Sequence, residues 1–237
     1  MSERIFITGN SSGLGRGFTR HYLRQGAAVY GLSRRGCEGL EGDLHDIHCD
    51  LSDLDSIAPA LEILLQGVER LDLVILNAGI LGVIQDMHQT SVSDLREIME
   101  INLWANKVIL DRLLGSGPAV DQIVLISSGA AVNGSKGWGG YSISKAALNM
   151  LTRLYAAEFP DTHLCALAPG LVDTPMQDYL CDPASVDAAE FPSVQKLRNA
   201  RGTANMPTAD QAAVNIAAVI PRLKAYPSGE FLDVRTM

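Results

Sequence analysis

Short apolar segments alternate with amphipathic segments along almost the whole chain, and this alternation restricts the possible folds more than any other feature. RIFIT and DQIVLIS have the composition of buried strands, whereas residues 13–25, 53–66 and 91–114 have helical spacing. Continuous apolar strands between helices are typical of a parallel sheet with helices on both faces. We therefore predict an α/β fold, a doubly wound parallel sheet that forms a single domain over residues 1–237.

Composition and charge argue against several classes of function. The 237 residues carry a formal net charge of −8 and no block of basic residues, so nucleic acid is not an expected partner. The N-terminal segment lacks the basic and apolar regions of a signal peptide, which predicts a cytoplasmic location. The longest apolar stretch, LDLVILNAGILGVI, contains Asp72 and Asn77 and is too short to span a membrane, so no membrane association is expected.

The spacing of cysteine and histidine residues does not indicate a metal centre. The four cysteines show no paired spacing, and we predict reduced thiols that pack as small apolar side chains. His45 and His48 lie close together, but no clear third ligand accompanies them beyond Cys49 and Asp50 in the same short segment. We expect no metal site.

The first predicted strand is followed by TGNSSGLGRG, in which Gly9, Gly13 and Gly15 form a turn that opens a helix. In doubly wound sheets, ligands bind at the carboxyl ends of the strands, where this turn lies. Glycines let the backbone approach a pyrophosphate, and a helix N-terminus offers free N–H groups and a positive dipole. The position between a strand and an amphipathic helix favours a nucleotide site over a simple turn.

The segment GGYSISKAALNM places Tyr141 and Lys145 four residues apart at the predicted start of a helix. Side chains with this spacing share one helical face and can converge on a single reacting atom. A tyrosine with an ordinary pKa near ~10 is a poor acid-base group at neutral pH, and a nearby cation would lower that pKa. The alternative for the pair alone is an interfacial aromatic residue beside a solvated charge.

Several motifs in the same order make the chain resemble the short-chain dehydrogenase/reductase family over nearly its whole length. Besides the glycine turn and YSISK, they are NAG at 77–79, IN at 101–102, LISSG and APGLVDTPM. Leu76 departs from the pattern, because the family has a second asparagine there. The resemblance implies a Rossmann-type fold and an oxidoreductase that uses a nicotinamide cofactor.

The resemblance also implies the roles of individual residues. It assigns catalysis to Asn102, Ser128, Tyr141 and Lys145, with Tyr141 giving a proton to the carbonyl oxygen while the cofactor gives hydride to the carbon. Lys145 would tune the Tyr141 pKa and bind the nicotinamide ribose. The predicted cofactor contacts are Gly9, Ser11, Ser12, Gly13, Leu14, Gly15, Ser33, Arg34, Asp50, Leu51, Asn77, Ala78, Gly79, Tyr141, Lys145, Pro169, Gly170, Val172 and Thr174.

The end of the second predicted strand bears on the choice of cofactor. An acidic residue there would accept the ribose hydroxyls of NAD, but this chain has LSRRG. Ser33 and Arg34 can bind a 2′-phosphate through charge-assisted hydrogen bonds, which favours NADP(H) over NAD(H). Arg34 and Arg35 as a solvated loop are the alternative, and Ser12 stands where many NADP-using relatives carry a second basic residue. Asp50 would bind the adenine amine or cap the next helix.

The substrate is expected to meet the variable segment of about 175–207, predicted as a long polar loop that contains prolines. A narrower resemblance, to the sepiapterin reductase and benzil reductase branch of the family, implies a vicinal dicarbonyl or an α-hydroxy ketone on a planar or aromatic compound, or a pterin. Trp138 and Met176 are candidates for contact with the substrate. Asp233 would anchor a pterin ring, although a strand-end Asp exposed to water is the commoner explanation.

Three alternatives remain open from the sequence. The enzyme could instead be an alcohol or sugar dehydrogenase, or a 3-oxoacyl-thioester reductase, of the same family. A nucleotide-binding redox sensor without catalysis is the third, but such proteins usually have a broken catalytic set. By family habit, the helices that contain Asn102 and Tyr141 pair between subunits, which implies a homodimer or homotetramer.

Overall fold

The computed structural model describes residues 2–237. Its strands are β1 (Arg4–Thr8), β2 (Ala28–Ser33), β3 (Leu44–His48), β4 (Arg70–Leu71), β5 (Leu73–Leu76), β6 (Ala119–Val120), β7 (Gln122–Ile126), β8 (His163–Ala168) and β9 (Phe231–Asp233). Seven strands form one parallel sheet in the order β3-β2-β1-β5-β7-β8-β9, and β4 pairs with β6 separately. The central strands are buried along almost their whole length, as expected for a sheet covered on both faces.

The helices follow in the gaps between these strands. They are α1 (Gly13–Arg24), α2 (Leu54–Leu64), α3 (Val92–Met99), α4 (Ala105–Ser116), α5 (Gly139–Glu158), α6 (Pro175–Cys181), α7 (Pro192–Ala200) and α8 (Ala209–Val219). Local sequence fixes several of their ends; for example, the Ser91 hydroxyl accepts the Asp94 N–H at 3.0 Å and caps α3. Across residues 2–237, none of the helices has both the length and the apolar character needed to cross a bilayer.

Two apolar clusters cover the two faces of the sheet. One packs α2, α4 and α5 against it through residues such as Ile57, Ile109 and Leu148, all of them buried. The other packs α1 and α8 against the opposite face, with Phe18 and Ile216 among its buried residues. Helices therefore lie on both faces, and the predicted doubly wound, Rossmann-type fold is confirmed.

The strand order reverses at β1, which pairs with β2 on one side and with β5 on the other. The chain leaves β1 toward α1 on one face, whereas the helices after β5 pack on the other face. The connections at the carboxyl ends of β1 and β5 therefore diverge and leave a crevice between them, which is the usual ligand position in this architecture.

Residues 175–207, which we call the outer segment, differ from the prediction of a loop. They contain α6 and α7, and a third apolar cluster joins these helices to Leu81 and Ile84 beside the crevice. Pro175 and Pro192 occupy the first position of each helix, where a missing N–H breaks no hydrogen bond and the fixed φ suits the helix. The prolines that indicated a loop are therefore helix starts.

The predicted helix over 91–114 is also more complex than expected. It is divided into α3 and α4 by a π-helical turn over Glu100–Trp104. Such turns widen a helix locally and are frequent at functional sites. This one carries Asn102.

Candidate active site

The turn after β1 is shaped by two glycines at close contacts. Gly9 has a φ of +68° and donates its N–H to the Leu32 carbonyl at 2.8 Å, which ties the turn to the end of β2. A Cβ atom on Gly15 would lie only 2.2 Å from the Gly9 carbonyl oxygen, so α1 can approach the turn only because this position has no side chain. Gly15 thus supports the turn from behind instead of lining the cleft.

The N-terminus of α1 opens onto this turn and is suited to an anion. Ser12 is the N-cap residue in extended conformation, and its hydroxyl does not cap the helix. The first N–H groups of a helix have no partners within the helix, and the helix dipole is positive at this end. The turn therefore fits the pyrophosphate of a dinucleotide, which would accept these hydrogen bonds.

A cleft of about 610 Å³ begins at this turn and runs along the carboxyl ends of the strands. It is lined by most of the residues predicted to bind the cofactor: Gly9, Ser11, Ser12, Gly13, Leu14, Ser33, Arg34, Asp50, Leu51, Asn77, Ala78, Gly79, Pro169, Gly170, Val172 and Thr174. Ser128, Tyr141, Lys145, Trp138 and Met176 line the same cleft. Gly15, Asn102 and Asp233 do not.

Thr8 at the end of β1 joins the loops on the two sides of the cleft. Its hydroxyl accepts the N–H groups of Asn77 and Ala78 at 3.0 and 3.1 Å, and its carbonyl accepts the Asn77 side-chain amide at 3.1 Å. A Cβ atom on Gly9 would lie only 2.9 Å from the Ala78 Cα atom, so this loop can lie close to the glycine turn because Gly9 has no side chain. The NAG motif is therefore part of the turn's support.

The end of β2 supplies the residues predicted to discriminate between cofactors. Ser33 is buried, and its hydroxyl has no hydrogen-bond partner within the described chain, whereas Arg34 is exposed. Asp50 accepts hydrogen bonds from the Ser52 N–H at 3.0 Å and the Ser52 hydroxyl at 2.9 Å, which lower its pKa. Asp50 thus closes a short turn before α2, whose N-cap residue is Asp53.

Lys145 is buried below the middle of the cleft. Its ammonium donates a hydrogen bond to the Ile126 carbonyl at 2.7 Å and lies 5.8 Å from the centre of the Tyr141 ring. Burial lowers the pKa of Lys145 to about 8, because the charged form loses hydration. The ammonium is therefore still largely protonated at neutral pH, but a rise of about one pH unit would deprotonate much of it.

Tyr141 differs from the prediction in the direction of its pKa. Burial raises the pKa of the phenol above its ordinary value, and the neighbouring Ser128 hydroxyl offsets this only in part. The net direction is opposite to the one predicted from the spacing of Tyr141 and Lys145, because burial is the largest cause of the shift in this pKa. A phenol that stays protonated at neutral pH can donate a proton but is a poor base.

Asn102 lies beside these groups without reaching the cleft. Its side-chain oxygen accepts the Ile80 N–H at 2.8 Å, and its amide donates to the Ile80 carbonyl at 2.8 Å and to the Ser144 hydroxyl at 3.0 Å. Ser144 belongs to α5, the helix that carries Tyr141 and Lys145. The side chain thus ties the loop after β5 to α5 at the level of the reacting groups.

Trp138 stands beside Tyr141 at the outer end of the cleft. The two rings meet edge to face, with centroids 6.0 Å apart, and the indole N–H donates to the Ser193 hydroxyl at 2.7 Å. Ser193 lies on α7, so this bond connects the catalytic helix to the outer segment. Met176 joins Trp138 in the apolar cluster of that segment.

Asp233 lies away from the cleft lining and is engaged elsewhere. Its carboxylate accepts hydrogen bonds from the backbone N–H of Arg235 at 3.0 Å and from its guanidinium at 2.9 Å. The Arg235 guanidinium is the main cause of the lowered Asp233 pKa. The side chain is only 15% exposed, so it is not the water-exposed strand-end carboxylate of the alternative interpretation either.

Several residues that line the cleft carried no sequence signal. The outer part is walled by Leu81, Val83, Gln177, Tyr179, Leu180 and Leu197. Four of these lie on α6 and α7, inside the segment predicted as a loop. The apolar spacing of that segment could have indicated the helices, but nothing in it indicates which residues face the cleft.

In the part of the chain that the structure describes, the cysteines and histidines do not form a group that could hold a metal ion. Cys37, Cys49, Cys165 and Cys181 are all free thiols, and burial raises the pKa of Cys37, Cys49 and Cys165. Within residues 2–237, no group of three or more His, Cys, Asp or Glu residues is arranged to hold a metal ion.

Comparison with known proteins agrees with this geometry. A family model described as short chain dehydrogenase matches residues 3–184. A benzil reductase of Bacillus subtilis (strain 168) that forms (S)-benzoin is 29% identical over 245 residues, covering 98% of both chains. A benzil reductase of Saccharomyces cerevisiae, IRC24, is 31% identical over 196 residues, covering 75% of this chain and 74% of its own. The crystal structure of the S. cerevisiae short-chain dehydrogenase/reductase YIR035C matches with a TM-score of 0.86 at 22% identity, covering 98% of this chain and 96% of that one.

The family model covers well over half of the chain, including the glycine turn, the NAG motif and the Tyr141–Lys145 pair. The fold agrees with it independently, because the structural match extends over nearly the whole chain. The chain therefore belongs to the short-chain dehydrogenase/reductase family and is an NAD(P)-dependent oxidoreductase.

Proposed function

We propose that this protein is an NADPH-dependent carbonyl reductase. Its substrate is a ketone on a planar or aromatic compound with a second oxygen function on the neighbouring carbon, a vicinal dicarbonyl or an α-hydroxy ketone. The observation that carries the proposal is the meeting of Tyr141, Ser128 and Lys145 in a cleft whose outer walls are apolar. The similarity to benzil reductases along the full chain supports the substrate class.

The proton donor is Tyr141. When bound, NADPH would supply the hydride for the carbonyl carbon. The Tyr141 hydroxyl transfers its proton to the carbonyl oxygen, so the product is an alcohol and no free alkoxide forms. The raised pKa of Tyr141 keeps the phenol protonated before the step. Proton transfer leaves a phenolate, which the Lys145 ammonium stabilises through its positive charge.

The neighbouring residues hold the reacting groups in place. The Ser128 hydroxyl binds the carbonyl oxygen within reach of the phenol, which reduces the entropic cost of the step. Lys145 also binds the nicotinamide ribose. Asn102, whose side chain joins Ile80 to Ser144 and does not reach the cleft, holds α5 in position beside the reacting groups.

The preference for NADPH rests on Ser33 and Arg34. The buried Ser33 hydroxyl lacks a partner, and the exposed Arg34 guanidinium lines the same end of the cleft. A 2′-phosphate would accept a hydrogen bond from each, and a charge-assisted bond is roughly twice as strong as a neutral one. An unphosphorylated ribose offers no comparable charge.

Arg34→Ala tests the cofactor preference. A charged hydrogen bond of about 1.5–3 kcal/mol corresponds to a loss of about tenfold to hundredfold in affinity. We expect the Michaelis constant for NADPH to rise by this factor while that for NADH is unchanged. Arg222→Ala, an exposed arginine outside the cleft, is the control. Equal Michaelis constants for wild type and Arg34→Ala would make Arg34 a solvated loop charge.

A substrate panel tests the carbonyl preference directly. Benzil and 1-phenyl-1,2-propanedione are compared with an acetoacetyl thioester, a simple aliphatic ketone and a pterin, and NADPH oxidation is followed by absorbance. We expect much more efficient turnover of the two aromatic diketones. A preference for the thioester would indicate a 3-oxoacyl reductase, and no turnover with retained NADPH binding would indicate a redox sensor. A parallel assay with alcohols and sugars follows the formation of NADPH from NADP⁺, and faster turnover there would indicate a dehydrogenase.

A pterin is the weaker candidate within this proposal. Its ring would need Asp233 as an anchor, and that carboxylate is bonded to Arg235. Pterin binding would therefore require the ion pair to open. Asp233→Ala should leave the reduction of diketones unchanged. If the same variant also reduces the pterin as fast as wild type does, Asp233 does not anchor the pterin ring.

The same proposal includes a homodimer or homotetramer formed through α4 and α5. Trp104, Ile143, Met150 and Leu154 lie on or next to these helices and are 44–54% exposed, which is a large apolar surface for a free chain. Pairing of these faces between subunits would bury them beside the catalytic helix. Light scattering of the purified protein measures the mass, and a monomer would contradict this part of the proposal.

A further inference from the structure

Gln177 lies in the first turn of α6, two residues after Pro175, and its backbone is fully engaged. Its N–H donates to the Thr174 carbonyl at 2.8 Å, and its carbonyl accepts from the Arg201 guanidinium at 3.3 Å. Arg201 is held in turn by Asp173 at 3.0 Å and by Asp178. These contacts fix the position of Gln177 without using its side chain.

The side-chain amide of Gln177 has no such partners. The residue lines the cleft and is only 8% exposed, and its Oε1 atom is buried without a hydrogen-bond partner in the described chain. Burying an amide oxygen without a donor is unfavourable, and native proteins nearly always satisfy such atoms. Gln177 thus lines the cleft with an amide whose oxygen is buried and unpartnered in the described chain, and a rotation of the side chain toward the cleft would let a ligand complete the missing hydrogen bond.

The other polar side chains on this wall each form a hydrogen bond within the protein. The Trp138 indole N–H donates to Ser193, and the Tyr179 hydroxyl accepts the Ile84 N–H at 3.2 Å. The remaining lining of the outer part is aliphatic or thioether, from residues such as Leu180 and Met176. Within the outer segment, Gln177 is therefore the cleft-lining residue with a buried acceptor that lacks a partner in the described chain, whereas Tyr179 has only its O–H left to donate.

We infer that Gln177 is the residue that selects for the second oxygen of the substrate, the oxygen next to the reacting carbonyl. A primary amide can accept a hydrogen bond from the hydroxyl of an α-hydroxy ketone through Oε1, and it can donate to a second carbonyl through Nε2 after a half turn about its last torsion. This assignment rests on the proposed function, because Ser128 and Tyr141 must hold the reacting oxygen. Gln177 contacts the substrate but takes no part in proton or hydride transfer.

The test compares two ketones that differ only in the second oxygen, 1-phenyl-1,2-propanedione and propiophenone. Wild type should reduce the dione with the higher kcat/KM. Gln177→Leu should lower the ratio of the two kcat/KM values about twofold to tenfold, the loss expected for one neutral hydrogen bond. The Michaelis constant for NADPH should not change. Gln195→Leu, a matched change at an exposed glutamine of α7, should leave the ratio as in wild type.

The melting temperature separates a substrate contact from a structural role, because loss of a structural contact would lower it. Because Oε1 has no hydrogen-bond partner among residues 2–237, ligand-free Gln177→Leu should melt no lower than wild type. If that variant does not fold, Gln177→Asn replaces it, because asparagine keeps the amide but has a shorter reach. The ratio of kcat/KM for the dione to that for propiophenone should then fall in the same way.

Each contrary result has a separate meaning. Equal losses for both ketones would overturn the specificity role and leave Gln177 as a packing residue. A raised Michaelis constant for NADPH with an unchanged ketone ratio would overturn it in favour of a cofactor contact. If wild type reduces neither ketone, the proposed function itself fails, and with it the inference.

Discussion

The glycine turn after β1 and the outer segment over 175–207 form the two ends of one cleft, but they are built in different ways. The turn is defined by backbone contacts at single atoms, such as the 2.2 Å that would separate a Gly15 Cβ from the Gly9 carbonyl. The outer segment is defined by side-chain packing, in an apolar cluster distinct from the two clusters that cover the sheet. A side chain at Gly9 or Gly15 would collide with backbone atoms, whereas apolar exchanges of similar volume in the outer segment would keep its packing.

This difference matches the tasks of the two ends. A pyrophosphate is the same in every dinucleotide, so backbone N–H groups at fixed positions can bind it. Substrates of related enzymes differ in shape, and an apolar wall can be rebuilt by volume-conserving exchanges without losing the fold. We therefore expect substitutions in the turn to change cofactor binding alone, and substitutions in the outer segment to change substrate selection alone.

The largest effect is expected where the two ends meet, at Tyr141. Tyr141→Phe keeps the ring that packs beside Trp138 but removes the proton that the carbonyl oxygen must receive. General acid catalysis contributes about 10²–10⁴-fold, so kcat should fall by that factor. Single-turnover reduction of 1-phenyl-1,2-propanedione measures the chemical step.

Cofactor binding is the control for this variant. NADPH affinity, measured by fluorescence titration, should be nearly that of wild type, because the hydroxyl contributes little to it. Retained turnover in Tyr141→Phe would refute Tyr141 as the proton donor. Lost NADPH affinity would assign the residue to the cofactor end of the cleft.

Gly15→Ala should isolate the cofactor end. The added methyl group would collide with the Gly9 carbonyl and with the Asn77 amide, 2.6 Å away, so the turn must shift. A displacement of about 1 Å at a binding site can cost about a hundredfold, and we expect a loss of that order in NADPH affinity. Gly115→Ala, in α4 with open space around it, is the matched control and should leave affinity unchanged. Normal NADPH binding by Gly15→Ala would contradict the backbone account of the turn.

Sequence alone was sufficient where a short-range constraint fixes the structure. The alternation of strands and helices gave the sheet, and the cleft contains nearly all residues predicted from the glycine turn, the NAG motif and the YSISK segment. Gly15 is instructive, because its motif position is right although it packs behind the turn instead of lining the cleft.

Sequence was insufficient where packing between distant segments determines the local structure or the partners of a side chain. The two helices of the outer segment are stabilised by contacts with Leu81 and Ile84, which no local pattern encodes. The engagement of Asp233 by Arg235 depends on how the C-terminal turn folds back, and the orphaned Gln177 amide appears only when its neighbours are known. The pKa of Tyr141 was predicted in the wrong direction because burial could not be judged from spacing.

Lys145 should give activity and stability opposite pH dependences. Its pKa of about 8 means that the cation is lost as pH rises through that value, so kcat/KM should fall about tenfold per pH unit above it. The unfolded chain keeps this proton up to the ordinary value of 10.5, so it binds more protons than the folded chain between about 8 and 10.5. The contribution of Lys145 to stability therefore rises with pH over that window.

Lys145→Met makes the stability part measurable. The difference in unfolding free energy between wild type and this variant should shift in favour of wild type as pH rises from 8 to 10.5. Denaturant titrations at several pH values determine it. A pH-independent difference would mean that Lys145 keeps its ordinary pKa in the fold, and the alkaline fall in activity would then need another group.

The smallest effects are expected from removing methyl groups, and they compare the packing of the sheet core with that of the outer segment. Val124 in β7 and Val194 in α7 are both 0% exposed, so Val→Ala removes the same two methyl groups from the sheet core or from the outer cluster. Val124→Ala should lower the free energy of unfolding by roughly 1–3 kcal/mol, and the melting temperature of a chain of this size by about 2–4 °C for each kcal/mol. Val194→Ala should lower the melting temperature less, because the outer segment can loosen without unfolding the sheet, but it should raise the Michaelis constant for the ketone a few-fold. Calorimetry and steady-state kinetics on the two variants supply both readouts. Equal losses of melting temperature, with unchanged kinetics for Val194→Ala, would show that the outer segment unfolds together with the sheet and does not act as a separately adjustable wall.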